Sequence, residues 1–508
     1  RLDPAFIPEF YGRFVRILLP TGTQCLGHPV AQPGAQMKIH GRPRDLCHSE
    51  DVAGATCIGL VACLARVARQ CGCNGYNAIV LRHGAPQPVP VRGFDAVRIA
   101  FGGLASALRM AYSSHLLSFD EWLSRWPQGK QRDIRQSVAS DTLAPQRVKF
   151  FVKREVLHAD MTKARGIQMY FNLATQAHFA VQFAAMQKAT VEALGALRGI
   201  TVTVASGMNA GDLSEWMNRV HEDGVVCYYE RDGKSWDATM SKIHADLRLW
   251  WYAMADQSLA DFARSCLDVK GVGYFREGQL RYSVQGTVKS GHNDTTLGNS
   301  LVNAAIAYEM MSVLGLTGHI LVAGDDCLVA LKQRVAVEDL LRVEGELGIN
   351  PVGWVFTDPT HVSFVSGMWW FAAGRFWFTP KPGRLVARLW WTVSPPSMRN
   401  LSRRRRGIAL GLWGVVSSIP VLREWCVPDN ADRAELIRSL YAGVHYPQLD
   451  LERQFCDRYG VAWDDMRRFE NDVCDHRSQV GYMISPVLDA MMRIDLADPV
   501  ERARELKL

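Results

Sequence analysis

The strip His319-Ile-Leu-Val-Ala-Gly-Asp-Asp-Cys-Leu-Val-Ala-Leu331 sets the strongest constraint on the fold. Its two arms, residues 320–323 and 327–331, are apolar and β-prone, and the Gly-Asp between them reads as a turn. A tight hairpin is therefore expected, buried along both arms and carrying Asp325 and Asp326 at its tip. Neighbouring carboxylates repel unless a cation or a proton offsets them. Hard oxygen donors of this kind suit Mg²⁺ or Mn²⁺. A lone Gly-Asp-Asp is also an ordinary surface turn, so the weight falls on the rest of the chain.

Upstream, residues 225–232 read as a strand that ends on Asp232, and Asp237 follows five residues later. Beyond it Met240, Ile243, Leu247 and Met254 are spaced for one face of a helix. An acid at a strand end beside an acid-tipped hairpin makes a carboxylate cage. Such a cage can hold two Mg²⁺ ions about 3.5–4 Å apart, the arrangement of in-line phosphoryl displacement. Asp237 equally suits a helix N-cap. Between the acid segments, Lys289-Ser-Gly-His-Asn-Asp-Thr-Thr-Leu-Gly-Asn-Ser-Leu-Val-Asn303 runs from a Gly/Ser loop into a helical pattern. Ser290, Thr295 and Asn299 offer hydroxyl and amide groups suited to a ribose or a template backbone. An ordinary Ser/Thr-capped helix fits the same residues.

In the order Asp232-x4-Asp237, Ser290-Gly291-x3-Thr295-x3-Asn299, Gly324-Asp325-Asp326, the chain resembles the RNA-dependent RNA polymerases of positive-strand RNA viruses, of the tombusvirus and nodavirus kind. These are that family's motifs A, B and C. The resemblance implies an α+β right-hand polymerase, with fingers, a palm whose antiparallel sheet is backed by helices, and a thumb. It implies RNA synthesis in which a 3′-hydroxyl attacks the α-phosphate of an NTP. Asp232, Asp325 and Asp326 would be the catalytic metal ligands, Asp326 as a partial or outer one. Asp237 and Asn299 would sense the ribose 2′-hydroxyl, supported by Ser290, Gly291 and Thr295.

Two further segments fit the resemblance. Val148-Lys-Phe-Phe-Val-Lys-Arg-Glu155, followed by Lys163-Ala-Arg165, is similar to the basic motif F. There Lys153, Lys163 and Arg165 would contact the triphosphate, and Glu155 would orient them. A solvated basic strand pair is the plain alternative. Phe364-Val-Ser-Gly-Met-Trp-Trp370 is similar to motif E, although short aromatic strands are commonly core. One departure stands out. Glu338-Asp-Leu-Leu-Arg-Val-Glu-Gly-Glu-Leu-Gly348 holds no lysine where many of these enzymes carry one to protonate pyrophosphate. Lys332 and Arg342 are the nearest basic residues, which leaves the general acid open.

A chain of 508 residues is too long for one core, so two or three subdomains are expected. By resemblance these are fingers and fingertips over 1–225, palm over 226–375 with a fingers insertion near 256–288, and a helical thumb over 376–508. Helices are expected at 53–69, at 175–196 and at 429–440, the last behind an Asp cap. Hydrophobic content of 48% with 21% charged residues excludes a disordered chain. The net charge of +7 is compatible with a polyanion partner. Part of it sits in Arg384, Arg388, Arg399 and the run Arg403-Arg-Arg-Arg406, which reads as a solvated loop able to track a phosphate backbone.

Cys47, Cys57, Cys63, Cys71 and Cys73 cluster early, with His48 nearby, but no CxxC pair occurs. That spacing favours reduced thiols over a zinc module. The longest uncharged apolar stretch, near 408–422, falls short of the ~20 residues a membrane span needs, and no signal peptide is visible. The first residue is Arg rather than Met, so a fragment or processed product is expected. Expected partners are RNA template and nascent RNA, NTPs, and viral or host replication factors. The expected location is host cytoplasm, at membrane-associated replication sites reached through a partner or a segment outside this sequence. Two competitors remain. A reverse transcriptase shares paired Asp residues but typically carries an aromatic and a variable residue where this chain has Ala323-Gly324. A non-catalytic, polymerase-like RNA-binding module would have no need of three carboxylates beside an anionic ligand.

Overall fold

The computed structural model describes residues 14–15, 22–27, 32–47, 54–158, 163–393, 400–428 and 448–508. Its central feature is a mixed five-stranded sheet in the order Ile200–Val204, Gly318–Ala323, Asp326–Leu331, Cys227–Gly233, Pro351–Phe356. The last four strands are antiparallel neighbours, as expected. Ile200–Val204 departs from that pattern by running parallel to Gly318–Ala323. A parallel pairing needs a long crossover, and the helices between residues 210 and 313 supply one.

The acid strip is the expected hairpin. Ala323 pairs with Asp326 across the two-residue turn Gly324-Asp325. Gly324 takes φ +63°, a left-handed conformation that a side chain would strain. Both arms are buried, from Ile320 to Val322 and from Cys327 to Leu331. Behind them lies the helix Thr295–Val313, whose residues from Leu297 to Ala307 are all buried.

The Cys227–Gly233 strand alternates in the way a two-residue period requires. Tyr229 and Arg231 face the helix side, where both hydrogen-bond Glu344 of helix Val337–Glu346. Tyr228 packs in a separate core on the opposite face. On that face too, Glu230 accepts from the Ser363 backbone N–H at 2.7 Å and from the guanidinium of Arg502. The terminal helix Pro499–Glu505 is thereby fastened to the strand that ends in Asp232.

A second five-stranded sheet joins Met37–His40, Gly278–Val284, Val269–Phe275, Arg147–Val152 and Gly166–Tyr170. Strands from between the two acid segments thus pair with strands from the first third of the chain. A third core packs residues 55–67 against the helices Gln448–Tyr459, Trp463–His476 and Pro486–Asp495. There Gly481–Met483 pairs with both Leu60–Val61 and Phe14–Val15, and Trp391 pairs with Cys57.

Three local expectations change. The apolar stretch 53–69, read as a helix, forms the strands Thr56–Cys57, Leu60–Val61 and Ala65–Ala68 over its described part. Apart from the exposed Leu64, its apolar residues are buried on more than one side, not along one stripe, and Gly54 and Gly59 weaken a helix further. Residues 175–196 are helical but broken at Phe179, between Leu173–His178 and Ala180–Gly195. The arginine run 403–406 lies within helix Leu401–Val416, not in a loop. Arg405 is buried and donates to the carbonyls of Ser478 and Arg477, at 3.0 and 2.7 Å. The helix expected at 429–440, along with Arg399 and His48, lies outside the described residues.

Candidate active site

Register brings the acids together. Arg231 pairs with Cys327, so Asp232, one residue further, lies beside Asp326 at the open end of the ladder. Asp232, Asp325 and Asp326 line one cleft. All three residues are exposed to water at the cleft mouth, although protein atoms crowd the Asp232 and Asp326 carboxyls from behind. Burial, with Asp325 and Asp232 beside it, pushes the Asp326 carboxyl up to about 7. Burial and then Asp325 also raise Asp232. Three converging carboxylates, with Asp232 and Asp326 held up by their surroundings, are the donor set of a hard divalent cation.

The turn is held from behind. Asn303 Nδ2 donates to Gly324 O at 3.0 Å and to Asp326 O at 3.1 Å. Ser300 Oγ accepts from the Gly324 N–H at 2.8 Å. Arg231 donates to Asn303 Oδ1 at 2.5 Å and pairs with Glu344 at 3.1 Å, wholly buried. Sequence reasoning assigned no role to Ser300, Asn303, Arg231 or Glu344. A signal was present, since Asn303 stands one helical turn beyond Asn299 and so shares its face.

Asp237 is buried on the short helix Trp236–Thr239. Arg82 meets it at 2.6 Å, and Asn299 hydrogen-bonds it. Burial outweighs Arg82 and holds the Asp237 carboxyl up at about 6. Asp237, Asp325, Arg82, Lys163 and Arg165 line a second cleft of about 340 Å³ that meets the first at Asp325. Arg165 and Asp325 belong to both clefts. Arg82, which the sequence reading did not single out, comes from the helical segment that starts at Gly72.

The other basic residues divide. Glu155 bridges Lys153 at 2.9 Å and Arg165 at 3.7 Å. Lys153 lies beside Glu155 and does not line the second cleft, whereas Lys163 and Arg165 do. Arg384 and Lys381 reach the first cleft from the segment after the aromatic strands. Burial lowers both, Lys381 to about 7, and Arg384 faces Asp326 and Asp232. Lys332 is engaged with Asp223 at 2.7 Å, and Arg342 with Glu346 at 2.8 Å, and neither lines these clefts. Ser363 to Ser366, at the start of the aromatic strands, line the first cleft, while Trp369 and Trp370 are core.

Ser290, Gly291 and Thr295 hold the loop rather than line either cleft. Ser290 Oγ accepts from Gln168 N–H at 3.2 Å. A Cβ on Gly291 would lie 2.0 Å from Gln168 O, so only glycine lets the loop dock on strand Gly166–Tyr170. Thr295 donates to the carbonyls of Lys289 and His292, at 2.6 and 2.9 Å. Lys289 is buried among the carbonyls of Leu267, Gly286 and Thr287.

Comparison with known proteins finds likeness over part of the chain. Residues 249–342 match the family described as viral RNA dependent RNA polymerase. That stretch holds Ser290, Asn299 and the acid hairpin, while Asp232, Asp237 and the basic strands lie upstream of it. Among individual relatives, the chain is similar to the RNA-directed RNA polymerase of melon necrotic spot virus, 35% identical over 98 residues, 19% of this chain. It is similar to that of pothos latent virus, 29% identical over 89 residues or 18% of the chain, and to that of Cymbidium ringspot virus, 37% over 79 residues or 15%. The matched stretches span 12%, 12% and 9% of those relatives' own lengths. The tombusvirus side of the resemblance is the one these relatives support.

Proposed function

We propose that this chain is an RNA-directed RNA polymerase that copies a viral RNA, joining NTPs to a 3′-hydroxyl by attack on the α-phosphate. The observation that carries the reading is the meeting of Asp232 with Asp325 and Asp326, from strands nearly a hundred residues apart in sequence. When bound, two Mg²⁺ ions would supply Lewis-acid activation of the hydroxyl and charge neutralisation at the leaving pyrophosphate. Asp232, Asp325 and Asp326 would hold them.

The chain's own groups divide the remaining work. Lys163, Arg165 and Arg82 line the side of the Asp325 turn suited to a triphosphate, where fixed cations stabilise charge that develops in transfer. Asp237 and Asn299, hydrogen-bonded to each other, are placed to accept and donate at a ribose 2′-hydroxyl. Asn299 Oδ1 is buried without a hydrogen-bond partner among the described residues, as suits an acceptor kept for a ligand. Lys153 and Glu155 set the pose of Arg165. Arg384, facing the carboxylates, would meet the nascent-strand side.

The architecture is read as a right hand. The mixed sheet would be the palm, the second sheet and the N-terminal helices the fingers, and the C-terminal helices the thumb. The strand pairings between residues 56–61 and the C-terminal part support a hand closed by its N-terminal residues. RNA template and nascent RNA are the proposed partners, with replication factors and a membrane-associated cytoplasmic site as the setting. No helix among the described residues is long and apolar enough to cross a membrane.

The test is incorporation of labelled NTP on a defined RNA template, with and without primer and with Mg²⁺ or EDTA. Template-dependent, metal-dependent NTP incorporation is expected. Preference for dNTP would favour a reverse transcriptase, and RNA binding without incorporation would favour a binding module.

A further inference from the structure

Four cysteines from three separate segments of the chain gather at the start of the helix Gly72–Ile79. Cys25 follows the strand Thr23–Gln24, and Cys47 follows the turn Pro43–Leu46. Cys71 occupies the helix N-cap, and Cys73 lies in its first turn. The sulfurs of Cys25, Cys47 and Cys71 all lie within 4.8 Å of one another. Cys73 turns its thiol to Cys47 and Cys25. None of the four is in a disulfide. In a tetrahedral ZnS₄ centre the sulfurs are about 3.8 Å apart, from Zn–S distances of about 2.3 Å. Cys25, Cys47 and Cys71 lie within reach of that spacing before any ion is added, and Cys73, which meets Cys47 and Cys25 but stands outside that trio with its thiol 3.7 Å from Pro43 O, would complete the set by a turn of its side chain.

The scaffold holds these positions through contacts that involve no sulfur. Asn74 donates to Gln24 O at 2.9 Å and Arg69 O at 3.0 Å, and accepts from Leu26 N–H at 2.8 Å. That clasp fixes the Cys25 segment against the helix. A Cβ on Gly72 would fall 2.4 Å from Leu46 Cβ and 2.6 Å from Pro43 O. The turn before Cys47 is thus pressed onto the helix start. Burial and neighbouring sulfurs push the Cys73 thiol up to about 12, and burial also raises Cys71. Packing four polarisable thiols together gains little by itself, whereas a cation turns the crowding into bonds. The helix N-terminus, where the Asn74 N–H faces the Cys71 sulfur, favours the thiolate charge.

We propose that Cys25, Cys47, Cys71 and Cys73 form a structural zinc site. Binding converts four thiols and one Zn²⁺ into a ZnS₄ centre of net charge −2 and releases four protons to the buffer. No sulfur changes oxidation state. All coordination positions are filled by protein, so the ion is structural, not catalytic. The sequence conceals the site because no CxxC pair is present and because Cys25 stands apart from the other cysteines. The fold supplies the closure that spacing does not. The helix anchored here continues through Val80–Gly84 and delivers Arg82 to Asp237, so the staple sits at the root of the substrate cleft.

The test uses the intact protein, purified without chelator, with metal content measured by mass spectrometry. About one zinc per chain is expected. Cys71→Ser and Cys73→Ser should each lower it severalfold. Cys57→Ser and Cys63→Ser, whose thiols face the carbonyls of Gly59 and Ala387 instead, should leave it unchanged. Should the serine variants fail to fold, cobalt exchange into the unaltered protein decides the matter. Sulfur-to-cobalt charge transfer with tetrahedral visible bands supports the site, and an octahedral, thiolate-free spectrum overturns it. Zinc-free folded protein, or a disulfide within this quartet in peptide mapping, overturns it as well.

Discussion

Asn303 donates its side-chain amide to the carbonyl of Asp326 at 3.1 Å, and to that of Gly324 at 3.0 Å. The backbone of the acid turn is therefore fixed by a helix that supplies no ligand itself. Arg231, bonded to Asn303 Oδ1, sets which end of the amide faces the turn. Replacing Asn303 with Leu keeps volume but removes both donors. We expect nucleotide incorporation to fall roughly 10–100-fold, with a matching rise in the Mg²⁺ concentration needed for half-maximal rate. Steady-state rates across a Mg²⁺ titration check this. A variant whose Mg²⁺ requirement is unchanged would show that the turn holds its shape without Asn303.

Asp232→Ala and Asp325→Ala should each abolish primer extension while RNA binding and the circular dichroism spectrum persist. Removing one of three repelling carboxylates costs no fold stability, so a loss of activity in a folded protein isolates the chemistry. Appreciable extension by either purified variant ends the metal-cage assignment.

The carboxylates also predict how stability depends on pH. Asp326 titrates near 7 in the folded chain against 3.8 in an unfolded one. The folded state therefore keeps a proton that the unfolded state releases. Stability from this group is full below about pH 4 and is lost as pH rises through 7. Asp237, near 6, adds in the same direction. In EDTA the melting temperature should fall between pH 5 and 8 by a few degrees more than in Asp326→Asn. Mg²⁺ should restore it at the upper end. Differential scanning fluorimetry over that pH range, with and without metal, measures both effects. Equal pH slopes for the two proteins would remove Asp326 as the source.

How much of this was legible in the sequence depends on whether a residue's task is local. The hairpin was, because two β-prone arms around Gly324-Asp325 have few other ways to bury themselves. The gathering of the acids was implied by motif order and then realised by one pairing, Arg231 with Cys327. Arg82 was not legible. It acts on Asp237 across more than 150 residues, and nothing around it differs from any basic helix end. The stretch after Gly54 misled for a related reason. All its apolar residues but Leu64 are buried, most of them against helices from the far end of the chain, so no periodicity marks them as strands. Ile200–Val204 joined the central sheet in parallel, a pairing that no local pattern encodes.

Asp237 is held between Arg82 at 2.6 Å and Asn299, and each should matter differently. Asn299→Ala removes the hydrogen-bonding group proposed to meet the sugar. It should lower the NTP/dNTP preference by about tenfold or more, since a site built to bond a hydroxyl rejects ligands that lack it. Arg82→Ala leaves the Asp237 carboxyl without its cation and should raise the apparent KM for NTP more than it changes kcat. Competition between ATP and dATP on one template gives the first quantity, and NTP titrations the second. Unchanged selectivity in Asn299→Ala would take that residue out of sugar recognition.

The helix Pro499–Glu505 is joined to the strand that carries Asp232. Arg502 is almost wholly buried and pairs with Glu230, which also accepts the Ser363 N–H at 2.7 Å. Glu230 lies two residues before Asp232 on the same face of its strand, so loosening it disturbs Asp232 directly. Arg502→Ala strands a buried carboxylate and should destabilise the fold by about 3–5 kcal/mol. The double variant Glu230→Gln with Arg502→Met removes both charges, keeps an acceptor for Ser363 and preserves most of the volume. It should recover most of that loss, because a buried ion pair rarely outperforms a well-packed neutral replacement. Urea denaturation of the three proteins measures the difference. If the double variant is as unstable as Arg502→Ala, the geometry of the guanidinium rather than charge balance fastens the helix to the sheet.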